Sequence, residues 1–564
     1  MVGTNSKVKN AGRVLLALLI VSFWIICVYW KCGIFYETND DRLIGEILSG
    51  VVTGKPDGHT VYVNYLLSGP LSLLYAAFPR VTWYGLFLIA AQGAAWFVML
   101  WQAFKHTGTK TGTVLVAAAF SVLLFCNLRL LGNIQYTSTA ALLAIAGYVC
   151  LLSEKDDKKS LLLFAIFELF AFLLRSQAML MIQAIGAPAY IGFVLGKNVS
   201  WKERARKGLL FAMAVIGVIV VGETADGIAY RSPEWKEYRE FNQARTELFD
   251  YYGRPGYEEV KEILDRYGVS ETEYTAFTQY IILDYDVSAE CARELSQYAK
   301  EKYGHQGSVK EILHQIYDSR FHQDWQGINH VSDVIWLFMA AWILLGKRWR
   351  LALPAAGIGI GGMLVRYYLY WGGRVPFRVM FPVFTAEILL LLALFLRDYG
   401  KAERSLLKTM LPAVLCLLLF GKGYEAGKEQ YRYVSAENAG HRVYINGLYE
   451  LEDYCSQRPE NRYLIGQMTY CYYRGSALDT RIYQPRNSVL TGTWYSNSPS
   501  SRSYLREYFS NPNGGIYLII YDSETQLDTA AVPYLAEKTA SEPVEVDHFT
   551  LSHGGSYKVY FFEE

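Results

Sequence analysis

Cysteine is scarce in this chain of 564 residues, which contains only eight. Most of them lie in or beside apolar segments, and no set has the spacing of a metal site. The sequence therefore gives no sign of a cysteine-ligated metal centre or of a disulfide-rich scaffold. Cys455 and Cys471 could pair, but free thiols at both positions fit the sequence equally well.

Net charge and catalytic signature motifs are lacking as well. The formal net charge is +1, so the composition gives no reason to expect a nucleic-acid partner. No Walker loop, nucleophile elbow or HExxH motif occurs, and no fixed-period repeat is present. His314, His322 and His330 are spaced by about 12 Å per step on a helix, which is too far for them to share one metal ion.

Hydrophobic segments, by contrast, are abundant, since hydrophobic residues make up 52% and aromatic residues 15% of the chain. The first apolar block, residues 14–30, follows Lys7, Lys9 and Arg13 and lacks a small-x-small cleavage site before the next polar segment. We therefore predict an uncleaved membrane anchor rather than a signal peptide.

Further apolar blocks follow, several of them near the short limit of the ~20 residues that a membrane span needs. They occupy residues 82–104, 111–128, 136–153, 160–174, 178–196, 208–225, 331–346, 351–371, 379–396 and 406–421. Together with the first block, they predict a polytopic α-helical membrane protein with about eleven transmembrane helices.

Positive charge alternates between the loops that join these blocks. If the N-terminus is cytoplasmic, every second loop is rich in Lys and Arg, as the positive-inside rule requires. The basic loops lie at residues 105–110, 155–159, 197–207, 347–350 and 397–408. The pattern predicts a multi-pass protein of the cell (plasma) membrane with a cytoplasmic N-terminus and an extracellular C-terminus.

The predicted spans divide the chain into four parts. Residues 1–225 form an N-terminal transmembrane region with a first external loop at 36–81, and residues 331–421 supply the remaining spans. Residues 226–330 have helical periodicity with mixed charges, which predicts an external helical insertion. Residues 422–564 contain the strand-like segments RYLIGQM, GIYLIIYD and YKVYFFEE, which predict a C-terminal external α/β domain.

Three acidic residues, Glu37, Asp40 and Asp41, follow the first predicted span within a few residues of the membrane surface. One interpretation is that Thr38 caps a short helix whose first turn favours acidic side chains. The other interpretation is that one of the carboxylates is catalytic. Later in the same loop, the interrupted apolar run at 59–79 predicts short interfacial helices rather than a span.

Arginine is the main cation at the predicted outer ends of the spans, whereas the inner loops favour lysine. The rigid, permanently charged guanidinium fork binds phosphate oxygens bidentately. The segment RYYLYWGGRVPFR contains two adjacent glycines and is predicted to bring Arg366, Arg374 and Arg378 together around a lipid-linked phosphate. The alternative is that each arginine snorkels to ordinary lipid headgroups.

Polar residues elsewhere leave other functions open. The loop NLRLLGNIQYTSTA offers Arg129, Gln135 and Tyr136, which could bind a sugar or could simply cap the next helix. Glu168 and Glu387 lie within predicted spans, where carboxylates often mark ion paths. These acids keep open a lipid-linked glycan flippase or transporter, and the C-terminal domain keeps open a membrane-anchored, cell-wall-binding scaffold.

In its overall organisation the chain resembles the polytopic glycosyltransferases of the GT-C superfamily, which includes protein O-mannosyltransferases and aminoarabinose transferases. The resemblance rests on the acidic pair in the first loop, the interfacial segments after it and the soluble C-terminal domain. The segments YETNDDRLIGEILSG, LLRSQA, SPEWKEYREFNQART and GGRVPFR are also similar to bacterial, chiefly Gram-positive, membrane proteins grouped with that superfamily.

The resemblance implies a GT-C fold and an inverting glycosyltransferase that moves a sugar from a polyprenyl-phosphate donor to a surface glycan, lipid or protein acceptor. Asp40 or Asp41 would act as the general base. Some members need a divalent metal there, but the chain has too few additional ligands to predict one, and no other cofactor is expected. The predicted ligands of the donor phosphate are Arg175, Arg366, Arg374 and Arg378. The predicted ligands of the sugar or acceptor are Glu37, Asn64, Arg129, Gln135, Tyr136 and Arg245.

Overall fold

Most of the described chain is α-helical, as the apolar blocks predict. The computed structural model describes residues 2–153, 157–283, 286–304, 307–323, 325–400, 406–466, 474–483, 486–510, 515–522 and 527–563. The first helices are α1 (Val2–Lys31), α2 (Asn39–Ser49), α3 (Tyr65–Ala77), α4 (Trp83–Lys105), α5 (Lys110–Phe125), α6 (Leu128–Gly132), α7 (Tyr136–Ser153), α8 (Asp157–Leu195) and α9 (Trp201–Ala229). The next are α10 (Pro233–Thr246), α11 (Tyr257–Tyr267), α12 (Glu271–Thr278), α13 (Ala289–Tyr303), α14 (Val309–Phe321), α15 (Ile328–Leu345), α16 (Ala352–Trp371), α17 (Phe377–Tyr399) and α18 (Leu406–Ser456).

Nine helices in the described part of the chain are long and apolar enough to cross a membrane, which is compatible with a polytopic helical membrane protein. Each of the apolar blocks predicted from the sequence lies in a helix, and the lower count has two sources. Helix α5 has only 16 residues. Helix α8, with 39 residues, contains two predicted blocks.

Helix α8 is folded back on itself at Arg175. This residue has extended backbone angles (φ −161°, ψ 99°), which interrupt the helix. Lys197, just beyond the end of α8, lies 3.5 Å from Asp157 at its start, whereas a straight helix of this length would be about 58 Å long. Gln183 also donates to the Glu168 carboxylate across the fold at 2.9 Å. Helix α8 is therefore two antiparallel helices with Arg175 at the turn between them.

Helix α18 continues for 51 residues from the last apolar block into the C-terminal segment (residues 422–564). The domain boundary predicted at residue 422 therefore falls inside a continuous helix, and the strands of the C-terminal segment begin only after this helix ends. Its middle part packs against the α5–α7 connection. There the Asn438 side chain donates to the Gly132 carbonyl at 3.0 Å, and the Gln430 side chain accepts from the Arg129 backbone N–H at 3.1 Å.

A five-stranded mixed sheet lies beyond α18. Its strands are β3 (Arg462–Ile465), β4 (Ser488–Leu490), β5 (Ile516–Tyr521), β6 (Val544–Thr550) and β7 (Ser556–Phe562), with helices α19 (Pro499–Phe509) and α20 (Ala531–Thr539) between them. The strand order is β4-β3-β5-β7-β6; β3, β4 and β5 are parallel, and β7 is antiparallel to both of its neighbours.

The strand-like segments of the sequence correspond to β3, β5 and β7, although part of RYLIGQM lies outside the described residues. Cys471 also lies outside them, and Cys455 has a free thiol.

The C-terminal segment packs directly on the first loop (residues 36–81). Strand β1 (Phe35–Tyr36) enters this loop and pairs in parallel with β2 (Asn133–Ile134). Arg486 lies 2.5 Å from the fully buried Glu46 of α2, and the hydroxyls of Tyr36 and Tyr483 are 2.7 Å apart. These contacts fix the position of α2, which carries the acidic pair.

Candidate functional site

A polar cavity of about 950 Å³ lies between the first loop, the turn of α8, the insertion (residues 226–330) and the loop that joins α16 to α17. We call it the central cavity. Asp40, Arg175, Arg374 and Arg378 all line it. The fold therefore brings together one acid of the first loop and three of the four arginines that the sequence suggested as phosphate ligands.

The two aspartates of α2 differ completely in their surroundings, because consecutive residues on a helix point about 100° apart. Asp40 is partly exposed and faces the central cavity. Asp41 is fully buried and accepts hydrogen bonds from the Tyr84 hydroxyl at 3.0 Å, the Tyr136 backbone N–H at 2.9 Å and the Thr38 hydroxyl at 3.2 Å. Thr38 is the N-cap residue of α2, but its side chain makes no capping hydrogen bond.

The electrostatic surroundings of Asp40 suit a base. Burial raises the pKa of the Asp40 carboxyl above its ordinary value, and the positive charges of Arg378 and Arg175 act against this rise. A desolvated carboxylate binds a proton more strongly than an ordinary aspartate does. The nearby guanidinium groups stabilise the ionised form that must be present before a proton can be taken up.

The stability of the Asp41→Asn variant, compared with that of the wild-type protein at the same pH, should increase as the pH rises. Burial raises the pKa of Asp41 well above its ordinary value, while the hydrogen bond from Tyr136 lowers it only in part. A carboxyl whose folded pKa is raised contributes stability below its unfolded pKa and loses it as the pH rises through the folded pKa. Asparagine does not titrate, so the difference in unfolding temperature (variant minus wild type) should grow as the pH rises above the ordinary aspartate pKa of about 3.9. Thermal unfolding in detergent at several pH values measures it, and a constant or shrinking difference would contradict the prediction.

The arginines reach the central cavity from different elements. Arg374 lies 3.1 Å from the carboxylate of Asp250 and keeps 36% of its side chain exposed. Arg175, at the turn of α8, places its guanidinium carbon 5.0 Å from the ring centroid of Tyr62. Gly373, before Arg374, has φ +68°, a left-handed conformation that glycine adopts without strain. Arg374 follows this turn directly and Arg378 lies in the first turn of α17, and both side chains line the cavity.

Arg366 does not join this group, contrary to the prediction that the three arginines of this segment converge. It is 4% exposed, and its Nη1 lies 2.6 Å from Oε1 of Glu387 on α17. Arg320 of α14 contacts the other oxygen of Glu387 at 3.1 Å. A buried guanidinium needs a carboxylate partner, and α17 supplies one that the local sequence does not show. We therefore leave Arg366 out of the candidate phosphate site.

Gln135, Arg129 and Glu37 lie beside the central cavity and are not among its lining residues. The Gln135 side chain caps α7, because its oxygen accepts the backbone N–H of Thr137 at 2.7 Å. Arg129 lies 3.4 Å from Glu37 and 3.6 Å from the ring centroid of Phe377. For Gln135 the structure thus shows the helix-capping role that the sequence left open.

Of the remaining predicted sugar or acceptor ligands, two line the central cavity and one lies behind its wall. Asn64 and Tyr136 line the central cavity. Arg245 is 1% exposed and lies behind the wall, where it donates to the Asn242 side-chain oxygen and to the Tyr280 hydroxyl, each at 2.8 Å. Arg245 therefore supports Asn242, which does line the cavity.

The insertion supplies a wall of the cavity that the sequence did not predict. It is formed by the end of α10 and by a six-residue π-helix, Glu247–Tyr252, that follows it. Such π-helical turns are rare and often lie at functional sites. The lining residues of this wall are Asn242, Gln243, Thr246, Glu247, Asp250, Tyr251 and Tyr252. In the sequence, only the acidic and aromatic run ELFDYYG marks this segment as a candidate cavity wall, because helical periodicity does not distinguish an α-helix from a π-helix.

Backbone strain is present on the first-loop side of the cavity. Val61 has φ +64°, which is rare for a β-branched residue and costs free energy. Its backbone N–H donates to the Tyr230 hydroxyl at 2.9 Å. The ring of His59, two residues before Val61, stacks on Trp235 of α10 with centroids 4.5 Å apart. The insertion thus holds this part of the loop in a strained conformation, next to the cavity residue Tyr62.

The two acids considered for an ion path have other surroundings. Glu387 is held by two arginines, and Glu168 is fully buried against Gln183; neither lines the central cavity. Among the residues that the structure describes, no group of three or more His, Cys, Asp or Glu side chains is placed to hold a metal ion.

No family model matches the chain, and no curated protein matches it. The functional argument therefore depends on the geometry and charge of the central cavity.

Proposed function

We propose that the protein is a membrane glycosyltransferase that moves a sugar from a polyprenyl-phosphate donor to a glycan, lipid or protein acceptor. The observation that carries the proposal is that Asp40 shares one cavity with Arg175, Arg374 and Arg378. A carboxylate can remove a proton from a hydroxyl, and guanidinium groups can hold a phosphate bidentately. These are the two groups that such a transfer requires.

In the proposed reaction, Asp40 takes the proton of the acceptor hydroxyl as its oxygen attacks the anomeric carbon of the donor. The bond from that carbon to the phosphate oxygen breaks on the opposite side, so the anomeric configuration inverts. The lipid phosphate leaves with an additional negative charge, which Arg374, Arg378 and Arg175 are positioned to stabilise. The partly buried site limits competition from water.

We also propose that the cavity lies on the outer face of a cell membrane and that the N-terminus is cytoplasmic. Counting α5 and both halves of α8 as spans gives about eleven crossings, consistent with the alternation of charge. The fold of α8 supports this count, because it places the lysine-rich loops before and after α8 at the same end of the helix bundle. The C-terminal segment would then be extracellular.

The direct test uses the full-length protein in nanodiscs with a radiolabelled polyprenyl-phosphate sugar and a panel of glycan, lipid and peptide acceptors. We expect the label to move to one class of acceptor only when the protein is present. Binding of the donor without transfer to any acceptor, combined with movement of the donor across vesicle membranes, would instead support the flippase.

Transfer should slow on acidification at a pH above that expected for an ordinary aspartate, whose pKa is about 3.9. The reason is that burial raises the pKa of Asp40 and the base must be ionised. Removing a positive charge by Arg378→Gln should move the acid limb of the kcat/KM profile to still higher pH. A profile of kcat/KM against pH measures both effects, and a shift to lower pH in the variant would contradict the assignment of Asp40.

A further inference from the structure

We propose that α14 lies at the surface of the membrane leaflet that borders the insertion and contacts lipid through one apolar face. The partner is the bilayer itself, through its headgroup region and upper acyl chains. This inference goes beyond the proposed function and does not depend on it.

One face of α14 carries a continuous apolar stripe that no described part of the protein covers. Val309, Leu313, Tyr317 and Phe321 are 61%, 46%, 54% and 55% exposed. Residues four apart are neighbours on a helix surface, so these side chains form one row along its whole length that turns by about 120° around the helix axis. Contiguous exposed apolar surface of this kind usually marks an interaction site.

A neighbouring face of α14, about 100° around the helix from the stripe, is firmly packed, so the exposed stripe does not reflect a detached helix. Ile312 and Ile316 are 2% and 3% exposed, and α14 packs against α16. A capping box between Ser308 and Glu311 satisfies the N-terminal backbone groups. The helix is thus fixed in an orientation that points its second apolar face away from the protein.

A buried ion pair sets the depth of α14. Arg320, the penultimate residue of the helix, contacts Glu387 at 3.1 Å and Asp333 of α15 at 2.7 Å. Glu387 lies ten residues after the start of α17, about 15 Å along that apolar helix. The C-terminal end of α14 is therefore held against α15 and α17, within about 15 Å of the end of α17 that would lie at a bilayer surface.

The surface next to α14 is also apolar and exposed. On α16, Ile360, Met363 and Leu364 are 60%, 47% and 58% exposed, as expected for the lipid-facing side of a membrane span. The aromatic residues of the α14 stripe suit the headgroup depth, where tyrosine and phenylalanine are commonly found on amphipathic helices. The stripe thus extends the apolar surface of the spans onto the membrane surface, and lipid is the partner that fits both.

Hydroxyl-radical footprinting of the wild-type protein, in nanodiscs that each hold one copy, tests the proposal without any substitution. We expect Tyr317 and Phe321 to be oxidised several-fold more slowly than Tyr444, which is 43% exposed on the part of α18 beyond the last apolar block. Because each disc holds a single copy, protection cannot come from a second chain. Similar oxidation of Tyr317, Phe321 and Tyr444 would overturn the proposal.

A second measurement identifies lipid as the protecting partner. The emission that Phe321→Trp adds to the wild-type spectrum should be quenched strongly by brominated phospholipid. The control is Gln315→Trp, at an exposed position about 120° around the helix from Phe321, and the emission that it adds should be quenched only weakly. Equal quenching of the two added signals would overturn the proposal, as would strong quenching in Gln315→Trp alone.

Discussion

Replacing Asp40 with asparagine should lower the rate of sugar transfer by a factor of about 10² to 10⁴, the usual contribution of a general base. The amide has the shape of the carboxyl group but cannot accept the proton of the acceptor hydroxyl. Arg374 and Arg378 remain in place, so donor binding should persist. The measurements are the turnover of a polyprenyl-phosphate sugar and donor binding, both in nanodiscs.

Asp41→Asn is the matched control, because it makes the same chemical change one residue away. Its amide oxygen can still accept from the Tyr84 hydroxyl and the Tyr136 backbone N–H, which now bond the carboxyl. The loss of turnover should therefore be much smaller than in Asp40→Asn. The opposite order of the two variants would show that the buried aspartate, and not the one in the cavity, is the base.

Substituting lysine for Arg374 or Arg378 should weaken donor binding or turnover by about tenfold or more. The charge is retained but the fork is lost, and a hydrogen bond to a charged group contributes about 1.5–3 kcal/mol. Each 1.4 kcal/mol corresponds to about a factor of ten in affinity. Arg374→Lys can keep its ion pair with Asp250, so a loss of affinity would report on the donor rather than on that pair.

Lys55→Arg serves as the control for these variants, since Lys55 is exposed and does not line the central cavity. It should leave donor affinity unchanged. Titration with a lipid-phosphate sugar in nanodiscs measures all three variants. Unchanged affinity in both Arg374→Lys and Arg378→Lys would show that these arginines meet ordinary headgroups only.

The helical segments were predictable because their signal is local. A block of apolar residues of sufficient length favours a helix in a membrane regardless of its neighbours, and each predicted block lies in one. Which of Asp40 and Asp41 faces the cavity was not predictable in the same way. It depends on where α4 places Tyr84 and where α7 places Tyr136, and neither position follows from the sequence around the aspartates.

The same limit explains the other differences at the candidate site. Arg366 occupies a segment with two cavity arginines, yet Glu387 from a neighbouring helix holds it. Gln135 looked equally suitable for a sugar or a cap, and only the backbone of α7 decides that it is a cap. The wall at Glu247–Tyr252 depends on a π-helical turn and on how the insertion packs over the first loop. Contacts between distant parts of the chain determine each of these outcomes.

Because α18 is one continuous helix, a small tilt at one end displaces its other end by a much larger distance. Its 51 residues correspond to about 76 Å, so a tilt of ~5° at the apolar end would displace the other end by ~7 Å. Midway along the helix, Asn438 accepts from the Asn133 side chain at 2.9 Å, and Gln430 accepts from the Arg129 backbone. A force applied to the sheet, for example by a bulky glycan, would therefore be transmitted mechanically to the strand and arginine that flank the central cavity.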